Sequence, residues 1–218
     1  VTLAIFDLDG TLLSGDSDYN WGQFLVEENI VDANTYKAAN DKFYQDYLTG
    51  SLDIHEYLAF SLAPLVNFNQ AQLVELHNQF MQKKIAPMMQ DKALKLIQEH
   101  KNKGHFLMII TATNEFVTGP ISKLLGMDHL IAPTPEVIDG RYTGSIIGIP
   151  SFQAGKVTRL NAWLKETGNT LEGSYFYSDS HNDLPLLELV SHPIVVDADD
   201  KLTELAKHRN WPNISLRD

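Results

Sequence analysis

The chain has 218 residues, enough for one large domain or a domain carrying a substantial insertion. Its 17 basic and 28 acidic residues give a formal charge of −11 with no long basic run, which excludes the electrostatic footprint of a nucleic-acid binder. The absence of cysteine excludes disulfides, thiolate metal sites and a cysteine nucleophile, and no apolar stretch reaches the roughly 18 residues of a membrane span.

The first apolar run, "VTLAIF" (1–6), predicts a short buried strand of the kind found in parallel sheets. It stops at Asp7, too soon for a signal peptide, and with the missing cysteines this sets the expectation of a cytoplasmic location. From Asp16 to about Ile85 the period becomes helical. "YNWGQFLVEENI", "TYKAANDKFYQDYLTG", "IHEYLAFSLAPLV" and "QAQLVELHNQFMQKKI" each space apolar residues by three and four, with breaks at Gly50, Pro64 and "NFN". Four helices without a strand predict a bundle inserted after the first strand. The expected division is an α/β core over 1–13 and 86–218 and a helical cap over 14–85.

Beyond Pro87 strands and helices alternate. A helix over 91–104 closes on Gly104, the strand "HFLMIIT" follows, then a helix over 115–126. The polar stretch 133–150 reads as a hairpin turning at Asp139-Gly140. A helix over 154–168, the strand "GSYFYSD", the helix "DLPLLELV" and the strand "PIVVD" complete the pattern. The predicted fold class is α/β, a Rossmann-like parallel sheet with helices on both faces and an all-helical insertion.

Three predicted strands end on polar residues: Asp7, Thr111 and Asp179. Ligands of parallel sheets bind at those carboxyl ends. Asp9 lies two residues beyond Asp7, on the same face of an extended chain. Two such charges about 4 Å apart repel by roughly 4 kcal/mol at an effective dielectric of about 20. A divalent cation, or a proton kept on one of them, must offset that. Asp183 begins a predicted helix four residues after Asp179, and Lys156 stands near the start of another. A calcium loop of the EF-hand type does not fit, because its sixth position, which requires glycine, is Leu12. His181 is expected to be an exposed loop residue. Tyr44, Tyr47, Tyr57 and Phe60 are expected in the bundle core, while Tyr19 and Trp21 follow Asp7 closely enough to line the crevice.

"DLDGT" (7–11), Thr111 closing a hydrophobic strand, Lys156, and "SDSHND" (178–183) resemble, in order, the four motifs of the haloacid dehalogenase superfamily. The resemblance spans the chain and, with a helical segment between the first two motifs, is greatest to the phosphoserine phosphatase-like branch. It implies that Asp7 is a nucleophile forming an aspartyl-phosphate and that Asp9 is a general acid and then base. It implies Mg²⁺ held by Asp7, Asp179 and the main-chain carbonyl of Asp9, with Thr111 and Lys156 on the phosphoryl oxygens and Asp183 supporting the metal or Lys156. An acid at position 9 points to phosphate esters, hence to a phosphatase acting on a small phosphorylated metabolite, without nucleic acid or membrane. A phosphomutase and a non-catalytic phosphate- or metal-binding module are the rival readings.

The sequence departs from the phosphoserine phosphatase pattern at one point. Asp16, with Asp18 beside it, supplies an acid soon after the first motif, but all four arginines (141, 159, 209 and 217) lie outside the expected cap. Only guanidinium makes a planar bidentate pair with a carboxylate. The expected substrate is therefore an amine-bearing ester without a carboxylate, such as histidinol phosphate or another amino-alcohol phosphate, with a phosphoserine-like substrate as the other choice, bound by Asp16, Asp18, Tyr19 and Trp21. The alternative is that Asp16 only caps the first inserted helix.

Overall fold

The computed structural model of the protein describes residues 1–217. Strand β1 (Leu3–Phe6) is buried throughout, so its alternating side chains serve two cores. Ala4 and Phe6 enter one, Leu3 and Ile5 the other. After an irregular turn at Leu8–Leu12 come α1 (Ser17–Glu27), α2 (Ala33–Thr49), α3 (Ile54–Leu62) and α4 (Gln70–Phe80). Asp16, Asp32, Asp53 and Asn69 start these four helices, each side chain accepting a main-chain N–H of the first turn.

The chain then alternates through α5 (Asp91–Asn102), β2 (Phe106–Ile110), α6 (Glu115–Leu124) and β3 (His129–Ile131). A hairpin follows, β4 (Thr134–Ile138) and β5 (Arg141–Ile147), then α7 (Ala154–Thr167), β6 (Tyr175–Ser178), α8 (Leu184–Leu187), β7 (His192–Val196), α9 (Asp200–Arg209) and β8 (Asn213–Ile214). Six strands form one parallel sheet in the order β3-β2-β1-β6-β7-β8. The winding direction reverses between β1 and β6, which opens a crevice at the carboxyl ends of those two strands. Asp7 and Asp179 follow them directly.

The hairpin turns at Asp139-Gly140, both with positive φ (50° and 75°), as a two-residue turn between twisted strands requires. It leaves the sheet and packs on α3 and on the 3₁₀ turn at Ala63–Asn67. Three elements had no clear sequence pattern: β3 and β8 are too short to show a period, and α9 is strongly polar on its outer face. The predicted helix over 183–190 is a 3₁₀ turn at His181–Asp183 followed by a single turn of α8.

Trp21 corrects one expectation. It does not line the crevice but is only 1% exposed, with its ring 5.2 Å from Phe80 and from Phe116 and 5.5 Å from Phe24. It joins α1 to α4 and α6, because it shares the apolar stripe of α1 with Phe24 and Leu25. Trp21→Ala is therefore expected to destabilise the fold by about 3–5 kcal/mol. Equilibrium denaturant unfolding checks this, and a loss under about 1 kcal/mol would contradict the packing role.

Candidate active site

The turn after β1 is built for close approach. Gly10 has φ +74°, and a Cβ there would stand 2.1 Å from Asp179 Oδ2, so only glycine fits. Thr11 fastens the turn to the end of β6: its Oγ1 donates to Asp179 Oδ1 (3.0 Å) and accepts from Asp179 N–H (3.1 Å). From behind, Arg217 Nη2 donates to the Gly10 carbonyl at 2.6 Å, and its Nη1 to Gln90 Oε1 at 3.1 Å.

Lys156, in the first turn of α7, is 3% exposed and lies between two carboxylates. Its Nζ is 2.8 Å from Asp7 Oδ1 and 2.7 Å from Asp183 Oδ1. Ser178 Oγ donates to Asp183 Oδ2 at 2.8 Å. Asp183 thus positions the lysine and is anchored by β6 itself. Burial favours the neutral amine, but the attraction of Asp183 and Asp7 outweighs it and raises the Lys156 pKa.

Asp9 is held by other donors. Its Oδ1 accepts the Ser17 N–H at 2.6 Å and its Oδ2 the Thr113 hydroxyl at 2.7 Å. Thr111 stands at the end of β2, where its Oγ1 accepts the Thr113 N–H at 3.1 Å. The sequence reading missed Thr113, Thr11, Ser17 and Ser178. Small polar residues beside motif residues were the available signal, but their partners lie 5 to 168 positions away.

Burial raises the pKa of Asp7 to about 7 despite Lys156, and also raises that of Asp9. Asp179 is pushed well above the carboxylate range by burial and then by the charges of Asp7 and Asp183. One lysine does not balance these groups. No three His, Cys, Asp or Glu side chains among the described residues form a ready metal cluster. The crevice instead brings together buried Asp7 and half-buried Asp179, beside the main chain of Asp9. This hard-oxygen set, short of positive charge, fits a divalent cation such as Mg²⁺.

Facing the crevice is a small pocket of about 40 Å³. Asp7, Asp9, Thr111 and Thr113 line it from the core, and Asp16, Asp18, Tyr19 and Asn40, with Phe43, Tyr44, Tyr47 and Tyr57, line it from the inserted helices. Three tyrosines expected in the bundle core, Tyr44, Tyr47 and Tyr57, therefore line the pocket. Phe60 does pack inside the bundle, 4.4 Å from the Tyr36 ring. Asp16 both caps α1, accepting Tyr19 N–H at 2.7 Å, and lines the pocket. Tyr19 bridges the pocket to α2 by donating to Asp41 (2.8 Å). His181 is half-buried rather than exposed, with Nδ1 2.7 Å from Asp199 Oδ2. Arg159 and Arg209 make other contacts, and no arginine or lysine lines the pocket among the described residues.

Residues 4–188 match the family model for haloacid dehalogenase-like hydrolases. The chain belongs to that family. It is 46% identical to a histidinol-phosphatase from Neisseria meningitidis serogroup C over 99% of both chains. A solved protein of unknown function from Bordetella pertussis Tohama I superposes with a TM-score of 0.92 at 42% identity, over 99% of this chain and 100% of that one. A substrate-bound phosphoserine phosphatase shares the fold, with a TM-score of 0.71 at 19% identity, covering 100% of this chain and 93% of that one. No helix among the described residues is long and apolar enough to cross a membrane.

Asp18 gives a pH prediction. Burial raises its carboxyl pKa to about 7, against about 4 in an unfolded chain. Between those values the folded protein holds a proton that the unfolded chain has released, so this group's contribution to stability falls as pH rises from about 4 through about 7. Asp18→Asn should remove that loss. Urea unfolding at pH 5 and pH 8 is expected to show the variant gaining on wild type at pH 8; an equal difference at both values would refute the assignment.

Proposed function

We propose that the protein is a Mg²⁺-dependent phosphatase that hydrolyses a small amine-bearing phosphomonoester through an aspartyl-phosphate on Asp7. One observation carries the substrate reading: the charged side chains lining the pocket are all aspartates, Asp7, Asp9, Asp16 and Asp18. A substrate carboxylate would meet repulsion there and no arginine fork, whereas an ammonium group would meet Asp16. The similarity to a histidinol-phosphatase supports the same class.

In this reading the helical insertion 14–85 is a cap over the core of 1–13 and 86–218. Asn182 Nδ2 donates to the Tyr47 carbonyl at 3.2 Å, and Gly50 lies against His181, so the end of α2 rests on the crevice rim. Closure there would keep bulk water from the reacting groups.

Asp7 attacks phosphorus as a carboxylate, with Lys156 holding it in place and offering positive charge to the incoming oxygens. Thr111 adds a hydroxyl at the end of β2. Asp9, whose neutral form burial favours, is placed to give a proton to the leaving alcohol and then to take one from the attacking water. Thr113 and the Ser17 N–H fix its orientation for both steps. When bound by Asp7, Asp179 and the Asp9 carbonyl, Mg²⁺ would supply charge neutralisation between the carboxylates and the phosphate.

Asp7→Asn is expected to lower kcat by on the order of 10³-fold or more, since an amide does not attack phosphorus. Asp9→Asn should lower kcat on alkyl esters by about 10²–10⁴-fold and less on nitrophenyl phosphate, whose leaving group needs little proton help. With that substrate, mass spectrometry after acid quench should find phosphate on the peptide carrying Asp7; phosphate on serine or histidine would overturn the mechanism.

Substrate choice is checked with kcat/KM for histidinol phosphate, phosphoethanolamine, phosphoserine and an uncharged alkyl phosphate, with Mg²⁺ and with EDTA. The two amines without carboxylates should lead, and Asp16→Ala should lower them selectively. A clear preference for phosphoserine would refute the reading. Phosphate release without a bisphosphate activator separates it from a phosphomutase.

A further inference from the structure

The turn after Asp9 is held by two side chains that lie outside the four motifs. Arg217 Nη2 donates to the Gly10 carbonyl at 2.6 Å, and its Nη1 to the Leu13 carbonyl at 3.4 Å and to Gln90 Oε1 at 3.1 Å. Gln90, only 3% exposed, turns its Nε2 to the carbonyls of Leu12 (3.3 Å) and Thr11 (3.5 Å). One guanidinium and one amide thus take up the carbonyls of residues 10, 11, 12 and 13. The edge of the sheet delivers the arginine. β8 pairs with β7, Leu216 is buried in the core, and its N–H donates to Asp197 Oδ2 at 2.8 Å, which brings Arg217 under the turn.

The pinned peptide units adjoin a metal ligand. The Asp9 carbonyl, the main-chain oxygen that would hold Mg²⁺, shares a peptide unit with the Gly10 N–H. That N–H donates to the Gly15 carbonyl at 3.1 Å. In a planar trans peptide the two groups point in opposite directions, so this bond aims the Asp9 carbonyl away from Gly15. Arg217 pins the next unit through the Gly10 carbonyl. Position 10 must be glycine because a Cβ would strike Asp179, and glycine is the residue with the most main-chain freedom. Bonds on both sides of it remove that freedom and fix its φ of 74° and ψ of −17°.

We propose that Arg217 is a positioning residue for the divalent-cation site: it pins the Gly10 carbonyl and so keeps the Asp9 carbonyl aimed as a ligand, without touching the substrate. The fork suits this task, since its two nitrogens reach Gly10 separately from Leu13 and Gln90, which one ammonium group does not reproduce. The proposal rests on the phosphatase reading above and adds to it a residue from the far edge of the sheet.

The test titrates Mg²⁺ calorimetrically into EDTA-stripped wild type, Arg217→Ala, Arg217→Lys and Arg209→Ala, the last removing a surface ion pair with Glu188 as a control. Arg217→Ala should weaken Mg²⁺ binding about 10–100-fold, the effect of losing a group that orients a metal ligand. The Mg²⁺ concentration for half-maximal turnover should rise by the same factor, while KM for the ester at saturating Mg²⁺ should change by less than about threefold. Arg217→Lys, which keeps the charge and the stem, should still bind Mg²⁺ at least about threefold more weakly than wild type. Arg209→Ala should match wild type. A folded Arg217→Ala protein that binds Mg²⁺ as wild type does would overturn the positioning role; if that variant does not fold, the same result with Arg217→Lys overturns it. Wild type that binds no Mg²⁺ would instead overturn the metal-dependent phosphatase reading, and this role with it.

Discussion

Four carboxylates, Asp7, Asp9, Asp179 and Asp183, are packed around a crevice whose central cation is Lys156, and the rest of the site depends on how that excess negative charge is held. In water such a cluster would repel and relax. In the protein each member is fixed by donors from a different element: Lys156 for Asp7, Thr113 and the Ser17 amide for Asp9, Thr11 for Asp179, Ser178 for Asp183. The donors satisfy individual oxygens but do not cancel the charge, because burial still pushes Asp7, Asp9 and Asp179 upward. A site left short of positive charge is suited to a divalent cation and a phosphate monoester.

The sheet makes the cluster possible. With the winding reversed between β1 and β6, the helices that follow these strands leave on opposite sides and expose both carboxyl ends. Gly10 lets the main chain cross directly beneath Asp179, and Arg217 and Gln90 hold that loop from its other side. Trp21 clamps the first inserted helix to α4 and α6, so the insertion is attached to the core by packing that is separate from the pocket.

The inserted helices add a second acidic region of different purpose. Asp16 and Asp18 stand on the first turn of α1 beside aromatic rings from α2 and α3, an environment that favours an organic cation over a carboxylate. In the proposed reading, the reacting groups manage charge to attack phosphorus, and the acids of α1 use charge to choose what the phosphate is attached to. The hairpin β4–β5 braces α3 from outside and fixes the outer wall of that region.

The sequence by itself determined the alternating core, the four-helix insertion, the hairpin turn at Asp139-Gly140 and the placement of Asp7, Thr111 and Asp179 at strand ends, because local period and turn chemistry encode these. It also singled out Lys156, Asp183, Asp16 and Asp18, through their order along the chain. Only the tertiary structure decided which side chains meet. Trp21 and Tyr19, two residues apart on one helix, point to different places, the first to the core and the second to the pocket. Tyr44, Tyr47 and Tyr57 show an ordinary core pattern, yet they line a cavity because the surface they face is the crevice of the other lobe. Thr113 became a partner of Asp9 by long-range packing, and Ser17 by the turn that follows β1. A helical period states that a residue faces inward; whether inward is a neighbouring helix or a pocket is set by contacts between segments far apart in sequence.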